Sequence, residues 1–412
     1  MANRDLNAAK KAKNDEFYTQ YADIEKEVNA YLEFDPDTFR GKTILLPCDD
    51  PEWSKFTRFF AENFERLGLR KLVSTSYAFD SKRLGGRDAS AKRPKGGRAV
   101  GASLPFWQPT LFETEAPQYD AAKSSAHGKI FVLDHDANGS GRIDLDDLEW
   151  RYLEGDGDFR SDEVRRLRDE ADVIVTNPPF SLFREFLAWI MEAGKQFLVI
   201  GNMNTINTKD VFPLVVSGKL WLGNGFTNGN AYFQVADGTK NSYADGVYDS
   251  TTNLVKFRNC CWYTNLEHGR RHQPLQLMSM SDNLRYSRHR EIRDVGYRHY
   301  DNYDAIEVPY SDAIPSDYDG VMGVPVTFLD KFCPEQFEIV GITKTWFGAA
   351  TKVYPEQVQI DANGVRKTVT KLNDGAVLKI DEPPKGSTWY EVGGERFIQT
   401  YPRILIRRRK TP

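Results

Sequence analysis

Four cysteines in 412 residues leave little for oxidative chemistry to work with. Cys48, Cys260, Cys261 and Cys333 lack metal-ligand spacing, and two of them are adjacent, an awkward basis for a disulfide framework. No apolar run reaches the roughly eighteen residues that a membrane span needs. The first residues, MANRDLNAAKKAKNDEF, are polar and charged and lack the apolar middle of a secretory signal. A reduced cytoplasm is therefore the expected location. Neither charge sign dominates: the net charge of −4 gives no overall pull toward nucleic acid. What is present is a hydrophobic content of 40% and an aromatic content of 13%, enough for sizeable cores in a chain of two or three domains.

Charge is unevenly distributed. Ser81–Gly101 is dense in Lys and Arg against a single acid, the run LRYSRHREIRDVGYRHY mixes arginine, histidine and tyrosine, and the chain closes on LIRRRK before Thr411. Such patches can track phosphates while aromatics stack on bases, although a solvated loop and tail would look the same.

Periodicity organises the first two thirds. Ile24, Val28, Tyr31 and Leu32 recur at helical spacing, and KTILLPCDDP reads as a buried strand stopped by Pro51. Trp53, Phe56, Phe60, Phe64 and Leu67 mark a helix closed by Gly68. Strands are expected at RKLVSTSYAF, KIFVLDHD, DVIVT and QFLVIGN, with helices over Asp162–Glu170 and from Ser181 to Gly194. Alternating strands and helices predict an α/β fold, a parallel sheet with helices on both faces, and ligands beyond the carboxyl ends of its strands. After about Gly269 the alternation fades into short aromatic-rich strands, which sets the expected boundary between residues 1–270 and a mixed α+β region, 271–412.

At one strand end stands Asn177-Pro178-Pro179-Phe180. Two prolines stop both ladder and helix and hold the chain stiff and extended. Asn177 offers a side-chain carbonyl, Pro178 a backbone carbonyl and Phe180 a flat apolar face. That set suits a planar ring bearing an exocyclic amino group: two acceptors take the amino hydrogens while the ring stacks. Positive charge developing on the nitrogen as it attacks a methyl donor is then stabilised, with no general base of shifted pKa. As a plain turn, Asn-Pro-Pro would need no chemistry.

Strand-Asn-Pro-Pro-Phe-helix resembles the catalytic motif of the S-adenosylmethionine-dependent amino-methyltransferases. Further segments, KNDEFYTQYADIE, LLPCDDPEWSKF, GDGDFRSDE, FLVIGN and GVMGVPVTFLDKFCPEQFEIVG, resemble the EcoRI-type adenine-specific DNA methyltransferases and run in order from Lys13 to Gly341. The resemblance implies a Rossmann-like class I methyltransferase sheet, S-adenosyl-L-methionine as donor, a C-terminal target-recognition region, and methylation of adenine N6 in double-stranded DNA. The target base would be swung out of the helix, at a few kcal/mol of unstacking. It also implies a solitary enzyme or one arm of a restriction-modification system, with a cognate endonuclease as functional partner. Carried over by position, Asn177 to Phe180 are catalytic; Phe17, Tyr18 and Thr19 close over the donor's methionine part; Asp158 accepts from its adenine amino group while Phe159 covers the ring. The usual glycine-rich loop after the first strand is missing. In PCDDPEWS, Asp49 or Asp50 would hydrogen-bond the donor instead, and Asp80 is the nearest acid after the second strand.

Two other readings keep less of this. The same tetrapeptide occurs in enzymes that methylate RNA bases or a protein glutamine, and a non-catalytic DNA-binding module could keep the fold. Separately, DANGSGRIDLDD (Asp136 to Asp147) has the polar spacing of a calcium loop. Its twelfth residue is Asp rather than Glu and a strand precedes it, so it reads as a polar turn capping a helix at Leu148, and no metal is expected.

Overall fold

A computed structural model describes residues 18–49, 54–78, 114, 116–226, 230–234 and 246–409. The chain forms two compact units: Met1–Asn202 with Gly223–Glu267, and Met203–Leu222 with His268–Pro412. The sequence expectation ran the first domain unbroken to residue 270. The segment from Met203 to Leu222 instead packs with the second unit.

In the first unit, strands β1 (Tyr18–Thr19), β2 (Thr43–Pro47), β3 (Lys71–Ser76), β4 (Lys129–Leu133), β5 (Glu149–Tyr152), β6 (Val173–Thr176) and β7 (Gln196–Asn202) are joined by helices α1 (Tyr21–Phe34), α2 (Lys55–Glu62), α3 (Asp162–Glu170) and α4 (Phe183–Glu192). The main sheet runs β5-β4-β3-β2-β6-β7, followed by the strand Cys260–Thr264. Strands β3, β2, β6 and β7 are mutually parallel. β4 is antiparallel to β3 and β5 to β4, and Cys260–Thr264 is antiparallel to β7. The expectation of a wholly parallel sheet therefore holds only at its centre.

The reason at one edge is local. β4 and β5 are linked by the Asp136–Asp147 loop, which turns the chain straight back. Asp136 accepts from the N–H groups of Gly139, Ser140 and Gly141, and Asp147 from those of Ala137, Asn138 and Asp144. The expected helix at Leu148 is absent: a single 3-10 turn, Leu145–Asp147, runs directly into β5.

Both faces of the sheet are covered. Ile44, Leu46, Val173, Val175, Leu198 and Ile200 share one core with Phe56, Phe59 and Phe60 of α2 and Ile24, Val28 and Tyr31 of α1. On the other face Phe183 of α4 lies over Gly201, where a Cβ would come within 2.4 Å of the ring, and packs on Tyr263 at 4.9 Å. Alternation along β7 thus feeds two cores, as a strand buried on both sides requires.

Crossovers leave the sheet centre in opposite directions, β2 toward β3 and β6 toward β7. The β2–β6 boundary is the switch point, where the carboxyl ends of parallel strands open a crevice. A separate small sheet, β1 with Asn230–Gln234, Leu254–Arg258 and Tyr248–Asp249, completes the unit.

The second unit holds a four-stranded sheet (Ile306–Glu307, Met322–Pro325, Arg403–Arg408, Phe337–Ile342) and a five-stranded antiparallel one built on Gln357–Ile360 and its neighbours. Tyr354, Leu372, Val377, Tyr390 and Phe397 form one of its cores. No helix among the described residues is long and apolar enough to cross a membrane.

Candidate active site

The turn after β2 replaces glycine with Cys48, which takes a left-handed φ of 70°. Such backbone in a non-glycine residue persists only where its surroundings hold it. Here Asp49 donates its N–H to Thr75 O at 2.9 Å, and Ser74 donates its hydroxyl to Asp49 O at 2.6 Å. Ser54, the N-cap of α2, donates to Asp49 Oδ1 at 2.6 Å. Buried Asp49 is therefore fixed from β3 and α2 together. Asp50 and Asp80, like Phe17 and the basic stretch Ser81–Gly101, lie outside the described residues.

The neighbouring turn, after β6, is tied to the first. Thr176 donates its hydroxyl to Pro47 O at 2.7 Å. Asn177 follows at once, its Oδ1 shielded from solvent, then buried Pro178 and half-buried Pro179 and Phe180. Pro179 O accepts from Leu182 N at 2.9 Å, so the chain bends into α4 just past the prolines. The Phe180 ring is pinned edge-to-face by Phe257 at 5.8 Å and Phe233 at 6.2 Å. These two aromatics were not foreseen; nothing in linear sequence links them to the tetrapeptide.

A third turn closes beside β3. Gly157 abuts the Ser76 carbonyl so closely that a Cβ would stand 2.2 Å from the oxygen, and its φ of +83° also calls for glycine. Asp158 Oδ1 accepts from Arg160 N and Nε, both at 2.8 Å; Oδ2 accepts from Arg160 Nη2 at 2.6 Å and from the Tyr77 hydroxyl at 3.1 Å. Burial pushes this carboxyl up, but the Arg160 guanidinium outweighs it and holds Asp158 below the usual carboxylate range. Phe159 is only 3% exposed and packs on Phe186 at 5.1 Å and Trp189 at 5.6 Å. Its ring is packed into the core beside the turn, with the Arg160 guanidinium over it at 5.4 Å.

β1 brings the last group. Tyr18 and Thr19 pair with Gln234 and Phe233. Gln20 accepts from Lys55 Nζ at 3.3 Å, which ties this strand to the start of α2. Thr19 is 3% exposed and its Oγ1 finds no hydrogen-bond partner among the described residues. Tyr18, Thr19, Asp49, Asp158 and the Asn177–Phe180 turn are thus all held at or beside the carboxyl ends of β2, β3 and β6.

Elsewhere, Glu27 of α1 is fully buried and accepts from Asn224 N at 2.7 Å, Gly225 N at 2.8 Å and the Tyr31 hydroxyl at 2.9 Å. No group of His, Cys, Asp or Glu among the described residues is arranged to hold a metal. In the second unit the arginine-rich run is largely tied to acids: Arg288 and His289 to Asp312, Arg290 to Asp294, and Arg298 to Glu291. Tyr286 stays 70% exposed.

Residues 5–409 match the family described as "Adenine-specific methyltransferase EcoRI". The chain belongs to that family. Among curated relatives it is similar to the Type II methyltransferase M.EcoRI of Escherichia coli, with 37% identity over 83% of this chain and 90% of the relative. Type II methyltransferase M.MpnI of Mycoplasma pneumoniae is 33% identical over 81% and 84%, and M.MgeORF184P of Mycoplasma genitalium is 30% identical over 81% and 85%. No solved structure matches. The protein is an adenine-specific methyltransferase, as the resemblance of its motifs implied.

Proposed function

We propose that this adenine-specific methyltransferase modifies adenine N6 within a short site in double-stranded DNA, with S-adenosyl-L-methionine as donor, in a restriction-modification setting or alone. The observation that carries the reading is the bond from Thr176 to Pro47, which sets Asn177 at the β2–β6 switch point, where α/β sheets bind their ligands. The sheet is then a class I methyltransferase core whose antiparallel β4 and β5 widen one edge. The second unit is its target-recognition region. A cognate endonuclease would be a functional partner, with no physical contact required.

The residues present suit the donor. Thr19 Oγ1 is a buried hydroxyl without a partner among the described residues, a cost of about 1–3 kcal/mol that a hydrogen-bonding ligand would remove. Asp49 stands at the end of β2, on one flank of the switch-point crevice, and Asp158 in the turn beside β3, the next strand along. Tyr18, Thr19, Asp49 and Asp158 would hold the donor, with Phe159 stiffening the turn from below. S-adenosylmethionine supplies an electrophilic methyl group on a sulfonium.

The chain's own residues do the rest. Asn177 Oδ1 and the Pro178 carbonyl accept the two hydrogens of the adenine amino group. Phe180, its plane fixed by Phe233 and Phe257, stacks on the everted base. Together they orient the nitrogen lone pair and stabilise its developing positive charge, and the surplus proton leaves to water. Incubation of the protein with donor and plasmid, followed by sequencing for modified bases, tests the reading. N6-methyladenine at one short sequence is expected; methyl groups found only in RNA or protein would overturn it.

A further inference from the structure

If Asp158 receives the donor's adenine amino group, its carboxylate must have room. A carboxylate offers about four lone-pair positions. All four are taken here: Arg160 N and Nε on Oδ1, Arg160 Nη2 and the Tyr77 hydroxyl on Oδ2. An arriving amino group therefore has to displace a resident. The backbone N–H is fixed by the turn, which leaves Tyr77 and the guanidinium.

Arg160 has somewhere to go. Its side chain is 44% exposed, and Nη1 already lies 3.3 Å from Glu185 Oε1 in the first turn of α4. The guanidinium rests over the Phe159 ring at 5.4 Å, a flat platform on which it can slide. Its planar fork of five N–H donors can serve two carboxylates at once, and can shift its weight from one to the other without leaving an acid bare.

We propose that Arg160 is a placeholder. In the donor-free protein it keeps the Asp158 carboxylate aimed and satisfied; as the donor's amino group takes an Oδ position, the guanidinium passes to Glu185. Because α4 begins just beyond Phe180, this exchange links filling of the donor turn to the helix that follows the catalytic turn. Arg160 is thus a positioning residue, and the inference rests on the assignment of Asp158 to the donor.

Calorimetric titration of the full-length protein with S-adenosylmethionine, and with its demethylated product S-adenosylhomocysteine, tests this without reference to turnover. Arg160→Ala should bind both about two- to fivefold more tightly, the range set by giving up a partly exposed ion pair. Arg160→Lys, which keeps charge but loses the fork, should fall between. Glu185→Gln should weaken binding by a similar factor in the presence of Arg160 and have no effect in the Arg160→Ala background. Unchanged or weaker binding by Arg160→Ala overturns the placeholder, as does tightening by Tyr77→Phe alone. Asp158→Asn separates the two levels: loss of affinity in that variant upholds the donor assignment whatever Arg160 does, and wild-type affinity removes it and the placeholder together.

Discussion

The Thr176 hydroxyl and the Pro47 carbonyl are 2.7 Å apart and buried, so the last residues of the two central strands are bonded where each chain leaves the sheet. The ladder between these strands pairs only Ile44 with Val173 and Leu45 with Ile174, so this side-chain bond carries the alignment the last two positions to the turn. Thr176→Val keeps the shape and removes the donor. It should lower unfolding free energy by about 1–3 kcal/mol and reduce turnover as well. Urea titration and methyl-transfer rates on one preparation would check both.

Asn177→Ala should cost roughly a hundredfold or more in turnover, the scale for losing one preorganised transition-state contact. Donor affinity should change little, because the role assigned to Asn177 is toward the base. Methyl transfer to plasmid and donor calorimetry separate these effects; a variant with wild-type turnover would remove Asn177 from the mechanism.

Cys48 holds a left-handed backbone with a φ of 70°. A β-branched residue tolerates this poorly, so Cys48→Val should destabilise by about 1–2 kcal/mol. Cys48→Gly should be neutral or mildly stabilising, since relief of that strain offsets glycine's greater chain entropy. Thermal melts of the two variants should move apart in that order.

How much of this was legible beforehand differs from one element to the next. The β6-turn-α4 passage was readable because a short apolar run, two prolines and a helical stripe each speak locally. The antiparallel edge was not: the Asp136–Asp147 loop hides its hairpin in side-chain-to-backbone bonds that mimic a cation loop's spacing. Phe233 and Phe257 reach Phe180 only through tertiary folding, and Arg160 stood beside two noted residues with nothing in composition to single it out. Phe159 was expected over a ligand only through the family resemblance of its segment; its packing on Phe186 and Trp189 arises through tertiary folding.

Glu27 predicts a pH dependence of stability. Burial raises its carboxyl to about 7, against the opposing pull of the Gly225 and Asn224 N–H groups and Tyr31. In the unfolded chain the same carboxyl ionises near 4.5. Between these values the folded protein keeps a proton that the unfolded chain has lost, so stability falls as pH rises from about 4.5 to 7 and levels off above. Glu27→Gln removes the titrating group. Whatever its fixed cost, the stability of the variant relative to wild type should climb by a few kcal/mol, of the order of 3, across that window. Urea midpoints at pH 5, 6, 7 and 8 would measure the slope; parallel curves would mean that Glu27 does not titrate there.

Where Gly157 meets Ser76, a methyl group at 157 would stand 2.2 Å from the carbonyl oxygen, and one at Gly128 would stand 2.6 Å from the same atom. Two distant stretches of chain therefore converge on one oxygen with no tolerance for even the smallest substituent. Anyone diversifying this scaffold toward new target sequences should leave both positions untouched, because an alanine at either would pry open the crossing and lose the enzyme before any altered preference could be scored.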